Sequence, residues 1–208
     1  PKTLVLTFDD GPDWGAEGNM DYKKVFTWQI LDILEAESVT ATFLVNRDIV
    51  SSLDDPEMRE TVFRMAKDGH EVGSHGWHHY SIGQQSAHPY WDPANVPSDF
   101  IAGDLTESQI DDELSKVEEV MDEIFGAGKV RMTLFRAPYG EPFQTGAGTL
   151  DLAKSVVSRH AVHIGWNLDT FDYSCGTTTC AKDNVINGLA STANNSAIVL
   201  AHSVQANM

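Results

Sequence analysis

Apolar and polar positions along this chain follow two patterns that alternate from one end to the other. Short runs such as "TLVLTF" are apolar at nearly every position, and longer stretches such as "TESQIDDELSKVEEVMDEIFG" have helical spacing of their apolar residues. Continuous apolar runs are typical of strands covered on both faces, and the longer pattern is typical of surface helices. The sequence therefore predicts strands and helices in alternation.

Six strands and five helices are predicted in this way, and their order favours a mainly parallel sheet with helices outside it, either open or closed as a barrel. The predicted strands are "TLVLTF", "TATFLV", "HEVGSHG", "MTLFRAPYG", "AVHIGWNLDT" and "SAIVLAHS", and the predicted helices are "YKKVFTWQILDILEAE", "DPEMRETVFRMAKDG", "TESQIDDELSKVEEVMDEIFG", "LDLAKSVVSRH" and "DNVINGLAST". Thr106 is a predicted N-cap with Gln109 as its capping-box partner.

Composition changes this picture mainly through charge. The 208 residues include 14 basic and 31 acidic ones, which gives a formal charge of -17. A chain of this length can bury one substantial core, and this charge repels nucleic acid and anionic membranes. No apolar run approaches the roughly 20 residues that cross a bilayer. We therefore expect one soluble domain, residues 1–208, with a neutral or cationic partner and no membrane span.

The two cysteines lie close together in a polar, turn-rich segment. Cys175 and Cys180 both fall within "SCGTTTCAKD". A small disulfide loop is within reach at this spacing, and two free thiols are the alternative. We favour the disulfide, which implies an oxidising compartment.

Titratable residues stand where the predicted strands end. The carboxyl ends of parallel strands emerge at one rim, and five of the six predicted strands deliver such a group there. These groups are Asp9 and Asp10 after the first strand, His75 after the third, Arg136 after the fourth, Asp169 and Asp172 after the fifth, and His202 at the end of the sixth. This rim is the predicted location of any chemistry.

Two adjacent carboxylates, Asp9 and Asp10, are costly in a cleft unless a cation or a shared proton relieves their repulsion. His75 and His79 would point to the same side if the chain turns helically after the strand. A carboxylate with two imidazoles suits zinc or a similar cation. These residues alone leave two alternatives open, an acidic turn and ordinary packed or surface histidines. His78, which lies between the pair, is expected to have a structural role.

Five segments together resemble a known family. In this order and over almost the whole chain, "TFDDGP", "HGWHH", "RAPYG", "DTFDY" and "IVLAHS" are similar to the signature motifs of the polysaccharide deacetylase family, also called the NodB homology domain or carbohydrate esterase family 4. The resemblance implies an α/β fold, a distorted (β/α) barrel with fewer than eight mainly parallel strands. Because the chain stops directly after the fifth motif, the barrel is either open on its C-terminal side, or has lost a segment, or is closed by an element from elsewhere.

The resemblance assigns a metal site and a base. Asp10, His75 and His79 would bind a divalent metal, with Zn²⁺ the first expectation and Co²⁺ or another divalent transition metal as alternatives. Asp9 would be the general base for the attacking water, and Arg136 would hold its carboxylate by charge-assisted hydrogen bonds. The two adjacent carboxylates would then divide the work, because one binds the cation and the other takes the proton.

The resemblance also assigns groups that act on the substrate. The backbone N–H of Tyr139 would share with the metal the negative charge of the tetrahedral intermediate. His202 would protonate the departing atom, with Asp172 paired to it and Asp169 as the weaker candidate for that pairing.

Several side chains are expected to contact the carbohydrate. Leu200, on the same strand face as His202, would line a pocket for the acetyl methyl group, and Trp166 would help to wall it. Tyr173 stands where the family usually has tryptophan, so it bears on the shape of the groove. The aromatic residues expected to stack on sugar rings are Trp14, Trp77 and Trp91, with packing inside their loops as the alternative.

The implied function is removal of acetyl groups from N-acetylglucosamine polymers or oligomers such as chitin or peptidoglycan. The alternatives are O-deacetylation of acetylxylan and a catalytically silent carbohydrate-binding relative. Phosphotransfer with magnesium is disfavoured, because the sequence has no glycine-rich phosphate cradle and histidine ligands suit that cation poorly. A secreted or extracytoplasmic monomer is expected.

Overall fold

The structure is a computed structural model that describes residues 3–13, 26–47, 53–83, 104–146, 149–175, 178–191 and 196–203. Its strands are β1 (Leu4–Gly11), β2 (Thr42–Val45), β3 (Glu71–Ser74), β4 (Leu134–Phe135), β5 (Val162–His163), β6 (Leu168–Asp169) and β7 (Ala197–His202). Its α-helices are α1 (Phe26–Glu37), α2 (Pro56–Lys67), α3 (Glu107–Phe125), α4 (Leu150–His160) and α5 (Thr178–Ser191).

The strands form one parallel sheet in the order β5-β4-β3-β2-β1-β7-β6. Strand β1 lies between β2 and β7, and its register places Asp9 directly opposite His202 of β7. Because all the strands are parallel, their carboxyl ends meet at one rim, as the sequence predicts.

The predicted helices are confirmed, with some changes at their ends. Helix α4 covers the predicted segment "LDLAKSVVSRH" in full, whereas α5 begins at Thr178, before its predicted start. At the start of α3, Thr106 accepts a hydrogen bond from the Gln109 backbone N–H, and the Gln109 side chain accepts one from the Thr106 N–H, as expected for a capping box. Among the helices of the described ranges, none has both the length and the apolar character of a membrane span.

The predicted fifth strand, "AVHIGWNLDT", is in fact two strands at opposite edges of the sheet. Its first part, β5, pairs with β4, and its last part, β6, pairs with β7. A flat sheet of seven strands would be about 29 Å wide, yet the five residue steps from His163 to Leu168 reach about 18 Å at most. The sheet must therefore curl, and residues 164–167 bridge the gap between its edges.

This curled sheet is the incomplete (β/α) barrel that the sequence predicts. It has seven parallel strands, and its opening lies between β5 and β6. The final strand β7 is not at an edge, because β6 pairs with its outer side. An opening directly beside the C-terminal strand, one of the three alternatives, is therefore not observed in the described residues.

The apolar core lies between the sheet and the surrounding helices. Phe43 of β2 packs in one cluster with Leu31 of α1 and Met65 of α2. Phe135 of β4 packs in a second cluster with residues of α3 and α4, and Val199 of β7 packs against α5 in a third. Since these contacts use the outer face of the sheet, the inner face is left for the polar groups described below.

The predicted disulfide is present and anchors the segment that follows β6. Cys175 and Cys180 connect the end of a 3₁₀ turn (Asp172–Ser174) to the first turns of α5. Asn184 of α5 also donates a hydrogen bond to the Thr170 carbonyl at 2.8 Å. The segment is therefore attached to α5 at two points.

Candidate active site

Asp9 and Asp10 face the same side because β1 contains a bulge. Successive residues of a regular strand point to opposite faces. The pairing of β1 with β2 skips Asp10, whose φ is +69°, as expected for an extra residue in a strand. As a result, His75 Nε2 lies 3.7 Å from Asp9 Oδ2 and 3.4 Å from Asp10 Oδ1.

The three predicted metal ligands come together. The candidate ligand atoms of Asp10, His75 and His79 all lie within 4.8 Å of one another. Asp10 Oδ1 is 3.4 Å from His75 Nε2 and 3.3 Å from His79 Nε2. Two ligands bound tetrahedrally to zinc at about 2.05 Å lie about 3.3 Å apart. The spacing and the donor set therefore both fit a divalent cation such as zinc.

Hydrogen bonds orient the two imidazole rings toward this cluster. His75 Nδ1 is 2.9 Å from the Arg136 carbonyl oxygen, which can only accept, so Nδ1 carries the proton and Nε2 presents its lone pair. His79 Nδ1 is 3.1 Å from the Tyr139 hydroxyl, which can accept in the same way. This contact of the Tyr139 side chain was not expected from the sequence.

Arg136 holds Asp9 from inside the barrel. Its guanidinium is fully buried, and Nη1 donates to Asp9 Oδ1 and to Thr7 Oγ1, both at 2.8 Å. Its remaining bonds run to the bridging segment, where Nε donates to the Ile164 carbonyl at 3.3 Å and Nη2 to the Gly165 carbonyl at 3.1 Å. One oxygen of Asp9 is thus engaged, while the other faces the cluster.

Burial dominates the electrostatics of the cluster. It raises the pKa of Asp9 although Arg136 opposes the rise. It raises the pKa of Asp10 to about 7, against the attraction of His202 and with a further increase from the charge of Asp9. Burial also lowers the pKa of His75 to about 3, so this ring is neutral, as a metal ligand must be. A divalent cation would relieve the cost of two nearly dry carboxylates.

His202 lies across the cluster and is paired with Asp172. Its Nδ1 is 2.7 Å from Asp172 Oδ1, and its backbone N–H donates to Asp172 Oδ2 at 2.7 Å. Burial lowers the pKa of His202, but the Asp172 hydrogen bond and the charges of Asp10 and Asp172 outweigh it and raise the pKa to about 9. His202 Nε2 is 3.9 Å from Asp10 Oδ2. The contact with Asp172 therefore favours the charged form of this ring, and its Nε2 faces the cluster.

Strained backbone gathers at the same rim. Five described residues other than glycine have positive φ, and three of them belong to the cluster or contact it, namely Asp10, His79 and Tyr139. The other two are Ser38 and Phe171. Residues held in this region are concentrated at functional sites in proteins.

Two predicted roles concern residues at this rim. Tyr139 lies in a 3₁₀ turn (Pro138–Gly140), and donation from its backbone N–H to the oxyanion stays a prediction. Asp169 is not the partner of His202 here, since its Oδ1 accepts from the Phe171 N–H at 2.8 Å.

Glu113 of α3 holds the loop between the two histidine ligands, and our sequence analysis missed it. It is buried and accepts from the backbone N–H groups of Trp77 and His78 at 2.9 and 2.8 Å. Its other oxygen is 2.6 Å from His78 Nδ1, so His78 has the structural role predicted for it. The sequence does carry a signal for this role, because Glu113 lies beside Ile110 and Leu114 on the apolar side of α3, where a glutamate is unusual.

Three predicted substrate-binding residues lie close to Arg136 or His202 of the candidate site. Leu200 is buried on the inner face of β7, two positions before His202. Trp166 lies in the bridging segment with the Arg136 guanidinium 5.5 Å from its ring centroid. Tyr173 is exposed, and its ring centroid is 5.5 Å from that of His202.

Trp77, another predicted sugar contact, is not brought to the site. Trp77 is buried in the core cluster that contains Phe43, and the guanidinium of Arg47 lies 5.2 Å from its ring centroid. Its position is that of a packing residue, so the expected sugar contact for Trp77 is not supported. Trp14 and Trp91 lie outside the described residues.

Comparison with known proteins agrees with this geometry. The family model described as polysaccharide deacetylase matches residues 1–156, which include Asp9, Asp10, His75, His79 and Arg136. The chain belongs to the polysaccharide deacetylase family. Two relatives in this family show how similar the sequence is to known members. A chitin deacetylase of Pestalotiopsis sp is 32% identical over 194 residues, covering 92% of this chain and 51% of that protein.

The second, peptidoglycan-N-acetylmuramic acid deacetylase PdaA of Bacillus subtilis, is 30% identical over 139 residues, or 67% of this chain and 39% of that protein. The chain thus spans about half or less of the length of these relatives.

Among solved structures, the chitin deacetylase of the fungal pathogen Colletotrichum lindemuthianum matches with a TM-score of 0.71 at 26% identity, covering 98% of this chain and 74% of that one. A Streptococcus mutans CE4 esterase shares the fold with a TM-score of 0.70 at 22% identity, covering 98% and 75%.

The contacts of Glu113 predict an effect on metal binding. Glu113→Gln removes a charge that holds the loop between His75 and His79, so zinc affinity should fall about tenfold, as measured by competition with a chromogenic chelator. Glu119→Gln, an exposed position on the same helix, is the matched control and should bind zinc normally. Equal affinities in the two variants would contradict a role for Glu113 in positioning the ligands.

Proposed function

We propose that this chain is a metal-dependent hydrolase that removes acetyl groups from N-acetylglucosamine-containing carbohydrate. The observation that carries the proposal is the arrangement of Asp9 and His202, which face one metal-type cluster from neighbouring strands. The relatives named chitin deacetylase and peptidoglycan deacetylase support an amide rather than an ester as the substrate.

Asp10, His75 and His79 would hold the metal, for which zinc is the proposed identity because a carboxylate and two neutral imidazoles suit it. When bound, such a cation lowers the pKa of a water molecule and polarises the acyl oxygen of the substrate. The chain's own part is to keep the rings neutral and oriented, which the Arg136 carbonyl does for His75.

Asp9 is the proposed base. Its Oδ1 accepts from Arg136, whereas Oδ2 is directed at the cluster and is the atom that would take the proton of the attacking water. The new C–O bond then forms at the acetyl carbon. Since Arg136 is itself fixed by two backbone carbonyls, the carboxylate is held in place before substrate arrives.

His202 is the proposed acid. Its Nε2 proton would go to the sugar nitrogen as the C–N bond breaks, which leaves acetate and a free amine. Asp172 keeps the ring charged and oriented through Nδ1. The backbone N–H of Tyr139 is the proposed donor to the developing oxyanion, and Leu200 the proposed contact for the methyl group.

The remaining expectations follow from the same proposal. We propose that residues 1–208 act as one deacetylase domain, since β7 from the end of the chain pairs directly with β1. The disulfide of Cys175 and Cys180 supports an extracytoplasmic location. Carbohydrate is the proposed partner, and the proposed oligomeric state is a monomer.

Release of acetate is the direct test. Purified protein with zinc should release acetate from chitin oligomers or peptidoglycan fragments, lose this activity in a metal chelator, and regain it with zinc or cobalt. Acetylxylan is the comparison substrate, and a clear preference for it would change the proposal from an amidase to an esterase. Full activity after verified metal removal would refute the mechanism, and no release from any substrate would favour a silent binding relative.

The role of Asp9 predicts a separation of metal binding from turnover. Asp9→Asn should lower kcat/KM by about 10² to 10⁴ while zinc affinity, measured by chelator competition, stays within a few-fold of the parent. Asp151→Asn, at an exposed position on α4, is the control. Near-normal turnover in Asp9→Asn would remove this residue from the base role.

The pairing of Asp172 with His202 predicts a change in pH dependence. An acid must be protonated, so activity is lost as pH rises through the pKa of His202, which Asp172 helps to raise to about 9. Asp172→Asn should therefore move the alkaline limb of kcat/KM to lower pH by about one to three units. Asp169→Asn should move it far less, and an unmoved limb in Asp172→Asn would contradict the assignment.

A further inference from the structure

Two exposed aromatic side chains follow β6, one in contact with the proposed acid and the other in contact with the first, and only one of them belongs to the expected substrate-binding set. Tyr173 is 41% exposed and its ring meets that of His202 edge-on. Phe171 is 48% exposed, and its ring centroid is 6.1 Å from that of Tyr173. The two rings thus extend the apolar surface outward from His202. Nothing in the proposed chemistry uses Phe171.

The backbone of Phe171 is held in an unfavourable conformation by specific bonds. Its φ of +50° lies in the left-handed region, which costs a bulky residue about 1–2 kcal/mol. Asp169 Oδ1 accepts from its N–H at 2.8 Å, and its carbonyl accepts from the backbone N–H and the hydroxyl of Ser174, both at 3.0 Å. Three hydrogen bonds and a strained backbone therefore present an apolar ring to solvent, which points to use of that ring rather than to packing.

The base of this aromatic pair is rigid. The disulfide of Cys175 and Cys180 and the bond from Asn184 to Thr170 fix both ends of the segment to α5. The backbone N–H of Tyr173 also donates to Asp172 Oδ1 at 3.0 Å, so the pair is attached to the residue that orients His202. A ring that is ordered in advance loses little entropy when it binds a ligand.

Charge restricts what such a surface can bind. The whole chain has a formal charge of -17, and the carboxylates of Asp169 and Asp172 lie on either side of Phe171 in the chain. An anionic ligand would be repelled, whereas the apolar face of an uncharged sugar ring can lie on an aromatic ring. Because Tyr173 contacts the ring of His202, a sugar on this surface would be adjacent to the one that reacts.

We propose that Phe171, together with Tyr173, forms a stacking platform for an uncharged pyranose ring adjacent to the reacting sugar. This inference rests on the proposed function and adds a substrate class to it, namely neutral N-acetylglucosamine chains in preference to chains that carry carboxylates. Phe171 is a binding residue in this proposal and takes no part in proton transfer.

Kinetics on substrates of different length test the platform. In the zinc-loaded protein, Phe171→Ala should raise KM for N-acetylglucosamine tetramer about two- to tenfold, with kcat within twofold, and should leave hydrolysis of 4-nitrophenyl acetate unchanged. Phe171→Trp should restore the KM. Phe63→Ala is the matched control, because Phe63 has the same 48% exposure but lies on α2. Equal KM values for Phe171→Ala and Phe63→Ala would overturn the platform.

Binding measured without turnover separates this inference from the proposed function. Calorimetric titration of zinc-loaded Asp9→Asn with the tetramer should show binding that Phe171→Ala weakens by the same factor, even if the parent protein releases no acetate. An oligomer that alternates N-acetylglucosamine with N-acetylmuramic acid should bind more weakly than the neutral tetramer. No binding of the tetramer, no effect of Phe171→Ala, or tighter binding of the anionic oligomer would each overturn the inference.

Discussion

The buried guanidinium of Arg136 is the interaction on which the barrel and the candidate site both depend. Breaking one partner of a buried ion pair typically costs about 3–5 kcal/mol, so a charge in this position is stable only with nearly every donor satisfied. Its bonds to Asp9 and Thr7 run to the central strand, and its bonds to the Ile164 and Gly165 carbonyls run to the segment that closes the barrel. The same group therefore orients a carboxylate and joins the central strand to the segment that bridges the two edges of the sheet.

The arrangement of the proposed acid and base is a consequence of strand register. Asp9 of β1 and His202 of β7 are direct partners in adjacent parallel strands, so both side chains face the inside of the barrel. The bulge at Asp10 then turns the next carboxylate to that side as well, where His75 and His79 meet it. Local backbone strain thus converts a strand that would present one carboxylate to the site into one that presents two.

Much of this site could be predicted from residue type and order, and the failures have physical causes. Strand ends in a parallel sheet meet at one rim, so residue type and strand order are enough to place Asp9, Asp10, His75, Arg136 and His202 there. Glu113 was missed because a glutamate on a helix is normally solvated, and only packing shows that this one faces a loop. Trp77 was assigned to sugar binding because a motif position does not show on which side of a loop the ring lies.

By itself, the sequence determined the alternation of strands and helices, the parallel sheet and the titratable residues at its rim, because each follows from local periodicity or from residue type at a strand end. The set of candidate metal ligands came from the family resemblance. Only the tertiary structure decided that "AVHIGWNLDT" divides between opposite edges, that Asp172 rather than Asp169 pairs with His202, and that Phe171 is exposed. Curvature of the sheet and the direction of side chains in turns depend on contacts between residues far apart in the chain, and no local pattern records them.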